Sequence, residues 1–263
     1  MQIKNKLALV TGGANGMGFS YARELLRNGA SHVAILDLIN STGQEAVNKL
    51  NAEFGKRRAI FIACDVSKPQ ELEAGFARTV QEFGGLEIII NNAGIMDDSR
   101  WELMINVNVN AVVRGTLLGM QYMGKDRGGK GGVIVNIAAI PGTLPTAECF
   151  PVYTGTKHGI IGLTTAFAMP YHYEKTGVRM LIMCPGMTKT DLISKVPEKL
   201  SNSSMSPEDY KEALKKFPSQ TVDSVAHGMM HIIRSAKNGS IWIAEGGEPV
   251  YQILIPDRLV TKV

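Results

Sequence analysis

The stretch A-L-V-T-G-G-A-N-G-M-G, Ala8 to Gly18, carries the chain out of a short apolar run, through a glycine-rich turn and into a helical pattern. Glycines at 12, 16 and 18 allow a tight turn and a close approach of backbone to a pyrophosphate. The helix that follows offers N–H donors and a partial positive charge at its start. Asn15 and Met17 lie in the same turn; Asn15 is a further candidate for contact with a dinucleotide, and Met17 either meets it through its backbone or merely fills the turn. A second apolar run ends in Asp37, at the roughly 20-residue interval where a carboxylate binds adenosine ribose hydroxyls. A carboxylate there repels a ribose phosphate, and Leu36, Leu38 and Ile39 supply no opposing charge. These residues point to NAD rather than NADP as cofactor.

Outward from this turn, short Val- and Ile-rich runs alternate with longer helical stretches. The runs are Leu7–Thr11, His32–Asp37, Ala59–Cys64, Leu86–Asn91, Val133–Ile137, Arg179–Cys184 and Ile241–Ala244. They do not alternate polar with apolar residues, which is how strands buried on both faces of a parallel sheet read. Asn28-Gly29 and Gly55 stop the first two helices, Ser67 with Gln70 reads as a capping box ahead of the third, and Asn238-Gly239 ends the last long one. The expected fold is α/β: one doubly wound, Rossmann-type domain over 1–263, with a seven-stranded parallel sheet and helices on both faces. Gly124–Gly132 reads as a surface turn. Residues 187–218 are long and Ser- and Lys-rich and follow the sixth strand, on the ligand-binding side of such sheets, so a substrate lid is expected there.

At 263 residues and 44% hydrophobic, the chain buries a core without disulfides or metal. A net charge of +4 with no basic block gives no reason to expect nucleic acid as a partner. Three cysteines make no disulfide framework and show no metal-ligand spacing. A strand begins within a few residues of Met1, leaving no room for a signal peptide. No apolar run reaches the roughly 18 residues that cross a bilayer, so a cytoplasmic chain with no membrane span is expected.

Further motifs accompany the glycine turn: Asp65-Val66 after the third strand, N-N-A-G at Asn91–Gly94, Asn108, Y-x-x-x-K at Tyr153–Lys157 and P-G at Pro185-Gly186. Over nearly its whole length the chain resembles the short-chain dehydrogenase/reductase family. Within it, P-V-Y-T-G-T-K-H-G (Pro151–Gly159) and N-G-S-I-W (Asn238–Trp242) look most like insect-type alcohol dehydrogenases and NAD-dependent 15-hydroxyprostaglandin dehydrogenases. The resemblance implies that Asp65, with Val66 beside it, meets the adenine. It implies that Asn91, Ala93 and Gly94 line the nicotinamide ribose, and that Pro185, Gly186 and Thr188 meet the carboxamide. It also implies that Asn108 holds a water linking Lys157 to solvent, that Lys157 binds the ribose hydroxyls, and that Tyr153 meets the cofactor as well.

Tyr153 and Lys157 are four apart at a helix start and share a face. A phenol, with a pKa of about 10, is a poor base at neutral pH. A neighbouring ammonium favours the phenolate, which would accept the proton of a substrate hydroxyl, or return it in the reverse reaction. The chain departs from the family at N-I-A-A-I-P-G, Asn136–Gly142, where the resemblance maps the catalytic serine onto Ala139. The interval to Tyr153 is also one residue longer than the pattern. Three explanations stand open: an engineered serine-to-alanine change, a natural paralogue that has lost activity, or a nearby hydroxyl from Thr143 or Thr146.

Met96, Leu144, Phe150, Met187 and Leu192, with Ile95 and Ile193, are the candidate substrate lining, apolar and Met-rich. The expected activity is NAD-dependent interconversion of a hydrophobic secondary alcohol and its ketone or aldehyde, impaired by Ala139. The alternative is a non-catalytic dinucleotide- or lipophile-binding paralogue. The helical stretches Trp101–Met123 and Tyr153–Tyr173 are apolar beyond one stripe, so a homodimer is expected, with the tail from Val250 to Val263 as a possible addition to its interface.

Overall fold

Seven of the expected runs form parallel strands: β1 (Leu7–Thr11), β2 (His32–Asp37), β3 (Ala59–Ala63), β4 (Ile88–Asn91), β5 (Gly132–Ile137), β6 (Val178–Pro185) and β7 (Ile241–Ala244). The structure is a computed structural model and describes residues 1–143, 150–194, 206, 208–209, 212, 215 and 217–255. The sheet has eight strands rather than seven. The eighth, β8 (Tyr251–Ile253), pairs antiparallel with β7, and the order is β3-β2-β1-β4-β5-β6-β7-β8. The turn into β8 carries Gly246 and Gly247, both at positive φ. Three residues, two of them exposed, are too short a run for the apolar patterning that marked the others.

Helices α1 (Gly16–Arg27), α2 (Gly43–Phe54), α3 (Pro69–Phe83), α4 (Trp101–Ile105), α5 (Ala111–Met123), α6 (Pro151–Phe167), α7 (Pro170–Thr176), the single turn α8 (Asp191–Ser194) and α9 (Val222–Ser235) complete the described order. Strand side chains alternate between two cores. Val10, Ile35, Ile90 and Val135 face α1, α2 and α9 through Leu25, Leu50 and Ile233; Leu9, Leu36, Ile89 and Ile134 face α3 and α5 through Phe76 and Met123. Both faces are therefore covered, which explains why the strands read as continuous apolar runs.

Helix ends depart from expectation in several places. At α3 the capping box does not form: Ser67 donates both its N–H and its Oγ to Asp65 Oδ1, and Lys68 occupies the cap position. Helix α9 stops at Ser235; Asn238 instead ties strand to helix, accepting from Met180 N and donating to Ala168 O. The expected helix Trp101–Met123 contains a π-helical turn at Asn106–Asn110, and Tyr153–Tyr173 is broken before Pro170, which cannot continue a helix. The continuous stretch Asp98–Met123 runs 26 residues at a window mean hydropathy of 1.2, long and apolar enough to cross a membrane, where the sequence reading found no such run. Half of that window is buried in the protein, and α5 packs on β4 and β5, so it serves here as a core helix.

Beneath the sheet's carboxyl edge lies a buried polar cluster. Asn136 Nδ2 donates to Thr164 Oγ1 on α6 at 2.9 Å and to Thr116 Oγ1 on α5 at 3.2 Å, while its Oδ1 accepts from Asn91 Nδ2 at 2.8 Å. One side chain thus joins β4, β5, α5 and α6. Asn136→Ala leaves buried groups without partners, each costing about 1–3 kcal/mol. Urea unfolding of the variant is expected to show a loss of about 3 kcal/mol; a loss under about 0.5 kcal/mol, typical of surface positions, would refute this role.

Candidate active site

The winding reverses between β1 and β4, and doubly wound sheets bind ligands in the crevice this opens at the strands' carboxyl ends. A cleft of about 400 Å³ lies there, lined by Gly12, Asn15, Gly16, Met17, Gly18, Asp37, Asp65, Val66, Ala93 and Gly94. Ten of the proposed cofactor residues are therefore together. Gly12 has φ +63°, and a Cβ on Gly18 would sit 2.1 Å from the Gly12 carbonyl oxygen, so the turn cannot accept side chains there. The first turn of α1 has no acidic residue, leaving its positive end facing the cleft. Met17 accepts a hydrogen bond at its sulfur from the Tyr21 hydroxyl.

Asp37 Oδ2 accepts from Ala14 N at 2.9 Å and Oδ1 from Leu38 N at 2.8 Å, which fixes the carboxylate at the cleft wall. Arg100 is the cation among the lining residues, and its Nε donates to Asp97 Oδ2 at 2.7 Å. A glycine cradle, a helix N-terminus and an anchored acid fit the pyrophosphate and ribose of a dinucleotide. Asn91 is differently placed from expectation. Its side chain turns into the polar cluster behind the cleft. The neighbouring Asn92 lines the cleft and was missed: its Nδ2 donates to Thr11 O at 2.9 Å and Gly12 O at 3.0 Å.

A smaller pocket of about 70 Å³ adjoins the cleft and shares Met17, Asn92, Gly94, Thr190 and Leu192 with it. Ala139, Tyr153, Lys157, Pro185, Gly186 and Thr188 line it. Lys157 is buried, donates to Ile137 O at 2.9 Å and lies 5.6 Å from the centroid of the Tyr153 ring. Burial pushes its pKa down to about 8, against a smaller opposing effect of Cys184, so it remains an ammonium at neutral pH. The Cys184 thiol is itself pushed up to about 12 by burial, offset in part by Lys157 and the Ala139 N–H.

Asn108 sits in the π-helical turn. It clamps the main chain of Ile95, accepting from its N–H and donating to its carbonyl at 2.9 Å each, and also donates to Thr156 Oγ1 at 3.2 Å. A Cβ on Gly94 would lie 3.3 Å from Asn108 Oδ1 and 3.7 Å from Lys157 Nζ, so the two residues flank the same small gap. Ala139 is buried among Met96, Met104, Phe150 and Tyr153, with Leu192 and Ile193 at the margin. Met104 had not been foreseen; it falls at a helix position that reads as ordinary core. Thr143 does not line the pocket, and its hydroxyl donates to Ile140 O at 2.7 Å. Leu144 and Thr146 lie outside the described residues.

Met187 does not line either space; its carbonyl accepts from Gln220 N at 2.9 Å. Gln220 Nε2 also donates to Thr188 Oγ1 at 3.2 Å and Ala244 O at 2.6 Å, so the start and end of the expected lid are buckled together. Thr190 and Leu192 carry the start of that segment over the site, while 195–205 and several later positions lie outside the described residues. The described residues contain no cluster of metal-ligating side chains.

The family model for short chain dehydrogenase matches residues 6–201. The chain belongs to the short-chain dehydrogenase family and is an oxidoreductase of that family. Among its relatives, the rat protein named 15-hydroxyprostaglandin dehydrogenase (NAD+) is 39% identical over 245 residues, covering 92% of this chain and 91% of that protein. The human protein of the same name is 36% identical over 245 residues, with 92% and 91% covered. Alcohol dehydrogenase 2 of Ceratitis capitata is 28% identical over 249 residues, with 94% of each covered.

The lowered pKa of Lys157 has a consequence for stability. Below about pH 8 the lysine is protonated in both folded and unfolded states, and the cost of burying its charge is present in full. Between pH 8 and its ordinary 10.5 the unfolded chain holds a proton that the folded chain has released, so this residue's contribution to stability improves as pH rises. Urea unfolding of the parent and of Lys157→Met across that range is expected to show the parent gaining relative to the variant. Parallel curves would contradict it.

Proposed function

We propose that the chain is an NAD-dependent dehydrogenase interconverting a hydrophobic secondary alcohol and its ketone. The observation that carries this reading is the buried pair of Tyr153 and Lys157, one turn apart on α6, at the junction of the dinucleotide cleft with an apolar pocket. The buried ammonium favours the phenolate, because an opposite charge nearby stabilises the ionised form. Tyr153 Oη then accepts the proton of the substrate hydroxyl, and in reduction returns it. Bound in the cleft, the nicotinamide supplies the acceptor for the hydride that leaves the carbinol carbon. Met96, Met104 and Phe150 form an apolar wall suited to a lipophilic substrate, and the names of the relatives support both cofactor and substrate class.

Ala139 stands at the position where the family motif carries a serine, and its methyl cannot donate to the substrate oxygen. Loss of one such donor costs about 100- to 1,000-fold in rate. Turnover is therefore slow but not extinguished. The burial of Ala139 in an apolar cluster also favours a second reading, a binding protein that keeps the dinucleotide and a lipophile without turning them over.

Two measurements test these readings. In calorimetric titration NAD is expected to bind more tightly than NADP, and Asp37→Ala to narrow the difference; NADP binding as tight as NAD would overturn the cofactor assignment. On a panel of secondary alcohols, Ala139→Ser is expected to gain about 2.7–4 kcal/mol of transition-state stabilisation, mainly in kcat. Tyr153→Phe is expected to abolish turnover. Robust turnover in that variant would sink the mechanism, and a lack of turnover in both parent and Ala139→Ser would favour the binding protein.

A further inference from the structure

Helix α6 lacks a cap of its own. Phe150 occupies its N-cap position and has no side-chain oxygen, and Pro151 at the first position has no N–H. The next two N–H groups donate to a residue far away in sequence: Val152 N to Asp98 Oδ2 and Tyr153 N to Asp98 Oδ1, each at 3.3 Å. Thr154 N then bonds Phe150 O at 2.9 Å, and the helix proceeds. Asp98 is buried, so its charge is screened little by solvent and lies against the positive end of α6.

The segment bearing Asp98 is tied to the body of the protein on one side and folded on itself beside the carboxylate. Asn108 clamps Ile95, and Asp97 accepts from Ser99 Oγ at 2.5 Å and Arg100 Nε at 2.7 Å. The carboxylate therefore acts as a fixed stop against which the helix is seated. One of its two hydrogen bonds goes to Tyr153 itself. Lys157 is anchored independently on the Ile137 carbonyl.

We propose that Asp98 is a positioning residue for Tyr153: it fixes the depth and rotation at which α6 begins, and so the place of the phenol oxygen relative to the substrate. The proposal rests on the reading of Tyr153 as the proton-transferring group. Its chemistry predicts a division of labour, because seating Tyr153 affects the reacting geometry, whereas Lys157 on the same helix keeps its own hold on the Ile137 carbonyl and the dinucleotide cleft is built from other elements. Misplacement of a reacting group by about 1 Å can cost 10²-fold in rate.

The test uses the full chain in the parent and Ala139→Ser backgrounds, with the secondary-alcohol panel and NAD. Asp98→Ala is expected to lower kcat by about tenfold or more, leaving NAD affinity unchanged and speeding amide exchange at the start of α6 in the NAD complex. Asp98→Asn keeps the volume and one acceptor oxygen, and should fall between Asp98→Ala and the parent. It also serves if the alanine variant folds poorly. Unchanged amide exchange at Val152 and Tyr153 would overturn the proposal whether or not turnover is measurable. So would a lowered melting temperature with kcat unchanged, or a loss of NAD affinity equal to the loss of kcat. Turnover that survives Tyr153→Phe refutes the catalytic reading instead; faster exchange in Asp98→Ala would then leave Asp98 as a cap with no catalytic consequence.

Discussion

The site depends on the seam between β1 and β4. Thr11 Oγ1 accepts from Asn92 N at 3.0 Å and Ala93 N at 3.1 Å, and Asn92 returns two bonds to the carbonyls of Thr11 and Gly12. The two strand ends at the switch point are thus riveted together just where they diverge. Gly18 packs against the Gly12 carbonyl because it has no Cβ, and Asn92 Nδ2 bonds that same carbonyl. The rest of the dinucleotide cleft is hung from this fixed edge.

From the seam, order passes to the Tyr153–Lys157 end of the site through polar groups that have few alternatives once buried. Asn108 holds Ile95, three residues beyond the seam's Asn92, from within the π-helical turn. Asn136 binds α5 and α6 to the sheet below. Lys157 gives up solvent for one carbonyl and the neighbourhood of a phenol. A buried donor or acceptor left unpaired costs more than a made bond gains, so these contacts specify one arrangement more than they add stability.

Much of this was legible in the residues. Parallel strands covered on both faces must be apolar at nearly every position, and β1, β2 and β7 run between the ends that pattern set. The glycine turn, Asp37 and the Tyr153–Lys157 pair announce themselves because few other residues meet their geometric demands. Other features were hidden because they depend on partners distant in sequence. Ser67 looks like a cap until Asp65 captures it. Asn91 and Asn92 are identical as letters, and only the alternation of a strand sends one into the core and the other to the cleft. Asp98 resembles any acidic turn residue until α6 arrives with no cap of its own. β8 is too short and too exposed for burial to have shaped its composition.

The buckle at Gln220 separates scaffold from variable region. Its bonds to Met187, Thr188 and Ala244 close the ends of the segment between β6 and α9 without reference to what lies between them. Loop-closure entropy rises only about 0.6 kcal/mol for each doubling of length. Insertions or exchanges between residues 194 and 217 therefore need not disturb the sheet, the cleft walls at Asp191 and Leu192 or the helix that carries Tyr153. In evolutionary terms, this stretch can be exchanged as a cassette while the frame around it stays in place.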